Sequence, residues 1–151
     1  MIPPLTVTVD GVPVAQPRHK VGAGFGGGKP RAYLPKDHPV HAFKQQAKLE
    51  CRRTILANKQ EWPSVLPLGL WLVFIMPRPQ RLVWKNKPMP RCWAPHKPDC
   101  DNLVKAILDG IASEIVHDDA QIVWLNAWKY YAAGDEKPHV EVTVSILEIL
   151  L

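Results

Sequence analysis

Residues 97–110, KPDCDNLVKAILDG, place two aspartates one residue apart at the start of an apolar helical pattern. Lys105 follows Asp101 by four residues, so the two lie on the same face of the predicted helix. A helix needs one capping side chain, which Asp101 or Asn102 can supply. A second carboxylate so close to the first raises the cost of keeping both charged. Asp99 and Asp101 together therefore suggest a bound cation.

A second pair of acids, Asp118 and Asp119, follows this helix in the segment VHDDA. If that segment folds back, three or four carboxylates converge, and such a cluster needs a cation to remain stable. Ligands that are all oxygen favour Mg²⁺, with Mn²⁺ able to substitute, over zinc. Such an ion beside a lysine suits hydrolysis of a phosphodiester. Asp109, two turns deeper in the helix, is interpreted as structural.

Each of these residues also has an ordinary structural interpretation. Asp101 can cap the helix, Lys105 can form an ion pair with it four residues away, and Asp118 with Asp119 can form an exposed turn. Their joint occurrence beside a strongly basic half of the chain favours the catalytic interpretation. Residues 1–98 hold sixteen Lys and Arg against four acids, whereas residues 99–151 hold three against ten. This asymmetry predicts a surface that binds polyanions next to a carboxylate-rich centre.

Two basic loops are candidates for binding DNA phosphates. The first, about residues 12–39, contains the glycine-rich segment VGAGFGGGKPR and is predicted to be mobile. The second, about residues 77–98, holds six prolines and interleaves Trp84 and Trp93 with cations, a composition that suits stacking on nucleic acid. The alternative is that these tryptophans cover the core. The candidate DNA-binding residues are Arg18, Lys20, Lys29, Arg31, Arg81, Lys85, Lys87, Arg91 and Lys97.

The apolar patterns predict one α+β domain over residues 1–151, with the element order β-α-β-α-β-β and helices packed on one side of a mixed sheet. Residues 5–9 alternate as a strand, residues 40–58 have helical spacing, and residues 68–76 are apolar throughout, as in a strand buried on both faces. Residues 120–131 and 140–146 are predicted to pair as a hairpin, because Gly134-Asp135 lies between them.

The composition narrows the class of protein. No apolar segment approaches the roughly 20 residues of a membrane span, and the first residues lack the pattern of a signal peptide. The three cysteines, an odd number, are expected to be free thiols. We therefore expect a cytoplasmic protein.

Three elements of the sequence resemble the RusA family of Holliday-junction resolvases. They are DCDNLVKAILDG at residues 99–110, DDAQIV at residues 118–123, and a strand ending in WKYY at residues 128–131. The matching residues are concentrated in residues 97–131. Over most of the rest of the chain, the resemblance is limited to the order of the predicted helices and strands. The two basic loops are longer than in the family pattern.

The resemblance implies a homodimeric, Mg²⁺-dependent endodeoxyribonuclease that cuts four-way DNA junctions in recombination and repair. It implies that Asp99, Asp101 and Asp119 bind the metal and that Lys105 is catalytic. Asp118 matches the first acid of the DDAQ element, to which no role is assigned.

Three other functions are compatible with the residues. Cys92, His96 and Cys100, with His117 further on, offer four ligands for a zinc-stabilised DNA-binding module, although the spacing is unusual. A DNA-binding protein without catalysis could carry the acids for structural reasons. An RNase or a branched-DNA flap nuclease could use the same metal site, because cationic contacts to the backbone do not identify the polymer.

Overall fold

Apolar strands form the centre of the protein, and two amphipathic helices cover one side of them. The computed structural model describes residues 2–22, 28 and 31–147. The strands are β1 (Leu5–Asp10), β2 (Lys20–Gly22), β3 (Arg31–Tyr33), β4 (Leu68–Met76), β5 (Cys92–Trp93), β6 (Ile122–Tyr131) and β7 (His139–Ile146), and the helices are α1 (Pro39–Asn58) and α2 (Cys100–Ile115). Neither helix is long and apolar enough to cross a lipid bilayer.

The main sheet has five strands in the order β1-β7-β4-β6-β5, in which β4 and β6 are parallel and the other neighbours antiparallel. The predicted α+β class with a mixed sheet is therefore confirmed. The predicted hairpin of β6 with β7 is wrong, because β4 lies between them. Because β4 is apolar on both faces, it is most stable in the middle of the sheet with a long strand on each edge. The chain after β6 crosses the end of β4, where Ala132 N donates to Met76 O, and then returns as β7.

The core lies between the sheet and the two helices. Alternate residues of β4, namely Leu70, Leu72 and Phe74, are fully buried against the apolar faces of α1 and α2. Further members of the core include Leu5, Val7 and Val9 of β1, Val140, Val142 and Val144 of β7, Val40, Phe43, Ala47 and Cys51 of α1, and Leu103, Ala106, Ile107, Ile111 and Ile115 of α2. Within the described chain, the helices thus cover one face of the sheet and leave the other without a helix.

The two basic loops are more ordered than expected. Part of the first forms an antiparallel hairpin, because β2 pairs with β3 from Lys20 opposite Tyr33 to Gly22 opposite Arg31. Most of the predicted glycine-rich flap lies outside the described residues. The second loop contains the 3-10 helix Gln80–Leu82 and the short strand β5, and is otherwise irregular, as its prolines predict.

The two helices approach most closely at Gly110. A Cβ atom there would lie 3.0 Å from the Lys44 carbonyl oxygen and 3.1 Å from Ala47 Cβ. Asp109 beside it forms a 2.9 Å salt bridge with Lys44, which confirms its structural role. Because neither the backbone oxygen nor Ala47 Cβ can rotate away, Gly110→Ala is expected to destabilise the protein by about 1–3 kcal/mol. Urea denaturation measures this as a lower midpoint.

Gly134→Ala is the matched control. An added Cβ there meets only the flexible Met89 side chain, at 3.3 Å for its terminal methyl. Its urea midpoint is expected to stay close to that of the wild type. Equal midpoints for the Gly110 variant and the wild type would contradict the proposed close contact.

Candidate active site

The first turn of α2 carries both aspartates of the opening motif. Asp99 is the N-cap residue, not Asp101 or Asn102 as the capping interpretation expected, and its side chain makes no capping hydrogen bond. Asp101 lies in the first turn, and both carboxylates are exposed. The partial positive charge of the helix N-terminus favours negative side chains here. Neither carboxylate has a hydrogen-bond partner within the described chain, so both are available to a ligand.

Lys105 lies one turn further along α2 and is exposed. An ion pair with Asp101 was the structural alternative for it, yet no salt bridge of Lys105 occurs among the described residues. Its ammonium group is therefore available for an external anion. The helix thus carries two carboxylates and a lysine whose charges are not compensated by their neighbours in the described part of the protein.

A lysine from the sheet holds the segment that leads into α2. Lys129 Nζ on β6 donates to the His96 carbonyl at 2.7 Å and to the Pro98 carbonyl at 2.5 Å. Lys129 thereby fixes the backbone next to Asp99. No role was predicted for this lysine, although a lysine among the apolar and aromatic residues of a strand is unusual enough to have indicated one.

The DDAQ element divides its two acids between different tasks. Asp118 caps the 3-10 helix Asp119–Gln121 by accepting from Ala120 N at 2.8 Å. The Gln121 side chain accepts from His117 N and Asp118 N, and it donates to Ser64 O at 2.8 Å. Asp118 is therefore structural. Asp119 is exposed and has no hydrogen-bond partner in the described residues, so it is the acid of this pair that remains free for a ligand.

Asp119 does not meet Asp99 and Asp101 within one chain. Helix α2 has 16 residues, which makes it about 24 Å long. Asp99 caps its N-terminus, whereas the DDAQ element follows its C-terminus, where Val116 forms a bridge with Ser64. The expectation that the loop folds back towards the helix N-terminus is therefore wrong for a single chain. Whether the three acids bind a metal stays a prediction.

One cluster in the described chain does have metal-ligand geometry. It comprises Glu136, His139 and Glu141, whose ligand atoms all lie within 4.8 Å of one another. Arg91 already occupies it, with Nε 2.9 Å from Glu136 Oε1 and Nη2 2.6 Å from Glu141 Oε1. Hydrogen bonding to Arg91 holds the pKa of Glu136 below its usual value. We interpret the cluster as an ionic anchor that ties the second basic loop to the β6–β7 connection.

The candidate DNA-binding cations differ in whether other residues of the chain already bind their charged groups. Arg91 is bound to two carboxylates, and Arg81 Nη2 lies 2.5 Å from His96 Nε2. The side chains of Lys20 and Arg31, and all of Lys29, lie outside the described residues. Among these candidates, the exposed cations with neither a salt bridge nor a side-chain hydrogen bond to another described residue are Arg18, Lys85, Lys87 and Lys97. These four are the best placed for phosphates.

The zinc alternative lacks the necessary geometry. Cys100 begins α2 and His117 follows its end, so a helix about 24 Å long separates them. His96 contacts Arg81 instead, and Cys92, His96 and Cys100 do not form a group of close ligand atoms among the described residues.

Comparison with known proteins agrees with the motif. The family described as "Endodeoxyribonuclease RusA" matches residues 10–145. The chain is 33% identical over 88 residues to a protein of Lactococcus phage r1t named "Crossover junction endodeoxyribonuclease rusA", a match that covers 58% of this chain and 60% of that protein. It is 44% identical over 48 residues to "Uncharacterized protein YqaN" of Bacillus subtilis (strain 168), which covers 32% of each chain.

The curated relatives are thus matched over less than two thirds of their length, whereas the family match extends over most of the present chain. It includes both aspartates at the start of α2, Lys105 and the DDAQ element. Together with the mixed sheet and its two helices, this match establishes that the chain belongs to the RusA family.

Proposed function

We propose that this protein is a Mg²⁺-dependent endodeoxyribonuclease that resolves four-way DNA junctions during recombination and repair. The observation that carries the proposal is the start of α2, where Asp99, Asp101 and, one turn further along, Lys105 are exposed and not compensated by described neighbours. Membership of the RusA family and the name of the phage relative support a junction as substrate. The unpaired cations of the basic loops support DNA as the polymer.

The donor set fits a hard divalent ion. Asp99 and Asp101 offer carboxylate oxygens, the ligands that Mg²⁺ or Mn²⁺ prefers, from positions two residues apart at the start of one helix. A bound ion would polarise the phosphodiester and activate a water molecule for attack. The two aspartates hold and orient it, and Lys105 stabilises the negative charge that develops on the phosphate oxygens.

A homodimer supplies the third carboxylate. Because Asp119 lies at the far end of α2, it can join Asp99 and Asp101 only from a second copy of the chain. Two copies related by a two-fold axis would then form two identical sites, Asp99 and Asp101 from one copy with Asp119 of the partner subunit. Paired sites suit a junction, which requires two symmetric cuts.

The free edge of β6 is a suitable surface for such a dimer. β4 pairs with one edge of β6 along its length, whereas β5 pairs with the other edge only at Tyr130 and Tyr131. The remainder of that edge carries the exposed apolar residues Val123 and Leu125 and has no strand beside it in the described chain. Antiparallel pairing of two β6 strands would bring the start of one, next to Asp119, towards the end of the other, next to Lys129 and Asp99.

A cleavage assay tests the proposed activity. A synthetic four-way junction is incubated with the protein with and without Mg²⁺, alongside a flap substrate, linear duplex, single-stranded DNA and RNA. We expect cuts in the junction only when Mg²⁺ is present. Cleavage of RNA or of flaps in preference to junctions would contradict the proposed substrate, and cleavage in EDTA would contradict the metal.

Lys105→Ala is expected to slow the chemical step by about 10²–10³-fold, because a group that stabilises developing charge acts mainly in the transition state. Single-turnover cleavage at saturating protein measures the rate, and a gel-shift assay measures junction affinity, which should change only a few-fold. Lys59→Ala, which changes an exposed lysine at the end of α1 outside both basic loops, is the control. A variant whose defect disappeared at higher protein concentration would show that Lys105 only binds DNA.

A further inference from the structure

The face of the sheet that no described helix covers carries a group of aromatic side chains. Since Leu70, Leu72 and Phe74 point towards the helices, Trp71 between them points to the opposite face. The pairing register assigns four aromatics of β6 and β5 to that same face. They are Trp124 opposite Gly69, Trp128 opposite Val73, Tyr130 opposite Ile75, and Trp93 opposite Tyr130. We call these five residues the aromatic surface.

Four of the five rings of the aromatic surface form two pairs, and three of the five are exposed. Trp71 and Trp124 have centroids 5.1 Å apart with their planes tilted by 56°. Trp93 stacks on Tyr130 at 4.6 Å with an interplanar angle of 21°. Trp93 is 64% exposed, Trp124 50% and Trp128 36%. The alternative in which Trp93 covers the core is therefore wrong, and the outer side of its ring is open.

The charges around the aromatic surface favour a polyanion. The register places one acid among these aromatics, Glu141 opposite Val73, and that carboxylate is already bound to Arg91 and His139. Arg91 ties the second basic loop to the same region, and this loop carries the exposed cations Lys85, Lys87 and Lys97. An apolar stacking surface whose local acid is neutralised, next to unpaired cations, matches the requirements of single-stranded nucleic acid.

The spacing of the aromatic side chains along the strands fits unpaired bases better than the stacked bases of a duplex. Side chains two positions apart on a strand are about 6.6 Å apart, whereas stacked bases in a duplex rise by about 3.4 Å. Successive bases can therefore contact successive rings only when they are separated from one another. Trp93 also lies six residues before Asp99, and Ala94 N donates to Lys129 O beside the start of α2. Trp93 is thus near the candidate metal ligands in sequence, but it lies on the sheet face that no described helix covers, whereas Asp99 starts a helix on the other face.

We propose that the aromatic surface binds unpaired nucleobases of branched DNA, with Trp93 as the principal stacking residue. This inference rests on the proposed function in taking DNA as the substrate, but it does not depend on cleavage or on a metal. It adds a second element of recognition, because the cations bind the backbone while the aromatic surface distinguishes opened DNA from intact duplex.

The test measures binding without catalysis. Wild-type protein, Trp93→Ala and Trp124→Ala are titrated in EDTA with fluorescein-labelled oligo(dT) and, separately, with a blunt duplex of equal length. Each variant is expected to bind oligo(dT) about 5- to 100-fold more weakly than the wild type, the range for loss of one base-stacking contact. Duplex affinity should change less than twofold. Trp93→Phe, which keeps a ring, should retain most of the oligo(dT) affinity even if the alanine variant is unstable.

Leu56→Ala is the control, since Leu56 is an exposed apolar residue of α1 outside the basic loops and the aromatic surface. Unchanged oligo(dT) binding by both alanine variants would overturn the proposal, as would equal losses on oligo(dT) and duplex. Sedimentation of the same variants identifies another outcome that overturns it: conversion of dimers to monomers would make this face a subunit interface. Junction cleavage by the wild type in Mg²⁺ separately tests the proposed function, so the two can fail independently.

Discussion

Asp101→Asn is expected to reduce junction cleavage by at least about 10³-fold while leaving junction binding intact. Asparagine keeps the shape of the side chain and its place in the first turn of α2, but it removes the charge that holds a divalent ion. Binding depends mainly on cations that contact phosphates, and it should be unchanged or tighter, because one negative charge leaves the DNA-facing surface. Single-turnover cleavage in Mg²⁺ and gel shifts in Ca²⁺ or EDTA separate the two effects.

Asp109→Asn is the matched control for that substitution. It makes the same chemical change in the same helix, but Asp109 forms a partly exposed salt bridge with Lys44, whose loss costs little stability. Cleavage by this variant should stay close to that of the wild type. Near-normal cleavage by the Asp101 variant, or a loss of cleavage that merely follows a loss of binding, would contradict the assignment of Asp101 as a metal ligand.

A mixture of the inactive variants Asp99→Asn and Asp119→Asn is expected to regain activity. If each site combines Asp99 of one chain with Asp119 of the partner subunit, a mixed dimer contains one site with both substitutions and one intact site. Random assortment of equal amounts should restore about a quarter of the wild-type sites. Because each mixed dimer makes a single cut, the product should be nicked rather than resolved junctions, which denaturing and native gels distinguish.

A mixture of Asp99→Asn with Asp101→Asn is the control, since both acids belong to the same chain and every site in the mixed dimer loses one of them. This mixture should remain inactive. If both mixtures stayed inactive although dimers exchanged subunits, each site would be formed by one chain, and α2 would have to rearrange to bring Asp119 to Asp99.

The sequence predicted the individual elements of the fold better than their arrangement. The helical spacing of residues 40–58 and the continuous apolar segment at residues 68–76 are strong local signals, and α1 and β4 follow them closely. The pairing of β6 was predicted wrongly because a glycine between two strands indicates a turn but not a partner. Which strands pair depends on the whole sheet: β4, with two apolar faces, has β6 on one edge and β7 on the other.

The candidate site, like the fold, was predictable where its residues lie close together in the sequence and not where they lie far apart. The spacing of Asp99, Asp101 and Lys105 can be read along one helix, and the structure keeps all three exposed on it. Two features depend on contacts between residues distant in sequence and were missed. They are the Lys129 side chain, which holds the backbone before Asp99, and the compensation of Arg91 by Glu136 and Glu141. Such contacts leave no periodic signal in the sequence.

The central claim is that Asp99, Asp101 and Asp119 surround a hard divalent ion, with Asp119 contributed by a second copy. Crystals of the protein soaked in Mn²⁺ and measured at the manganese edge test it most directly. We expect an anomalous peak between Asp99 and Asp101 of one chain, within coordination distance of Asp119 of the partner subunit. A peak confined to Glu136, His139 and Glu141, or Asp119 directed into solvent in every copy, would contradict the account.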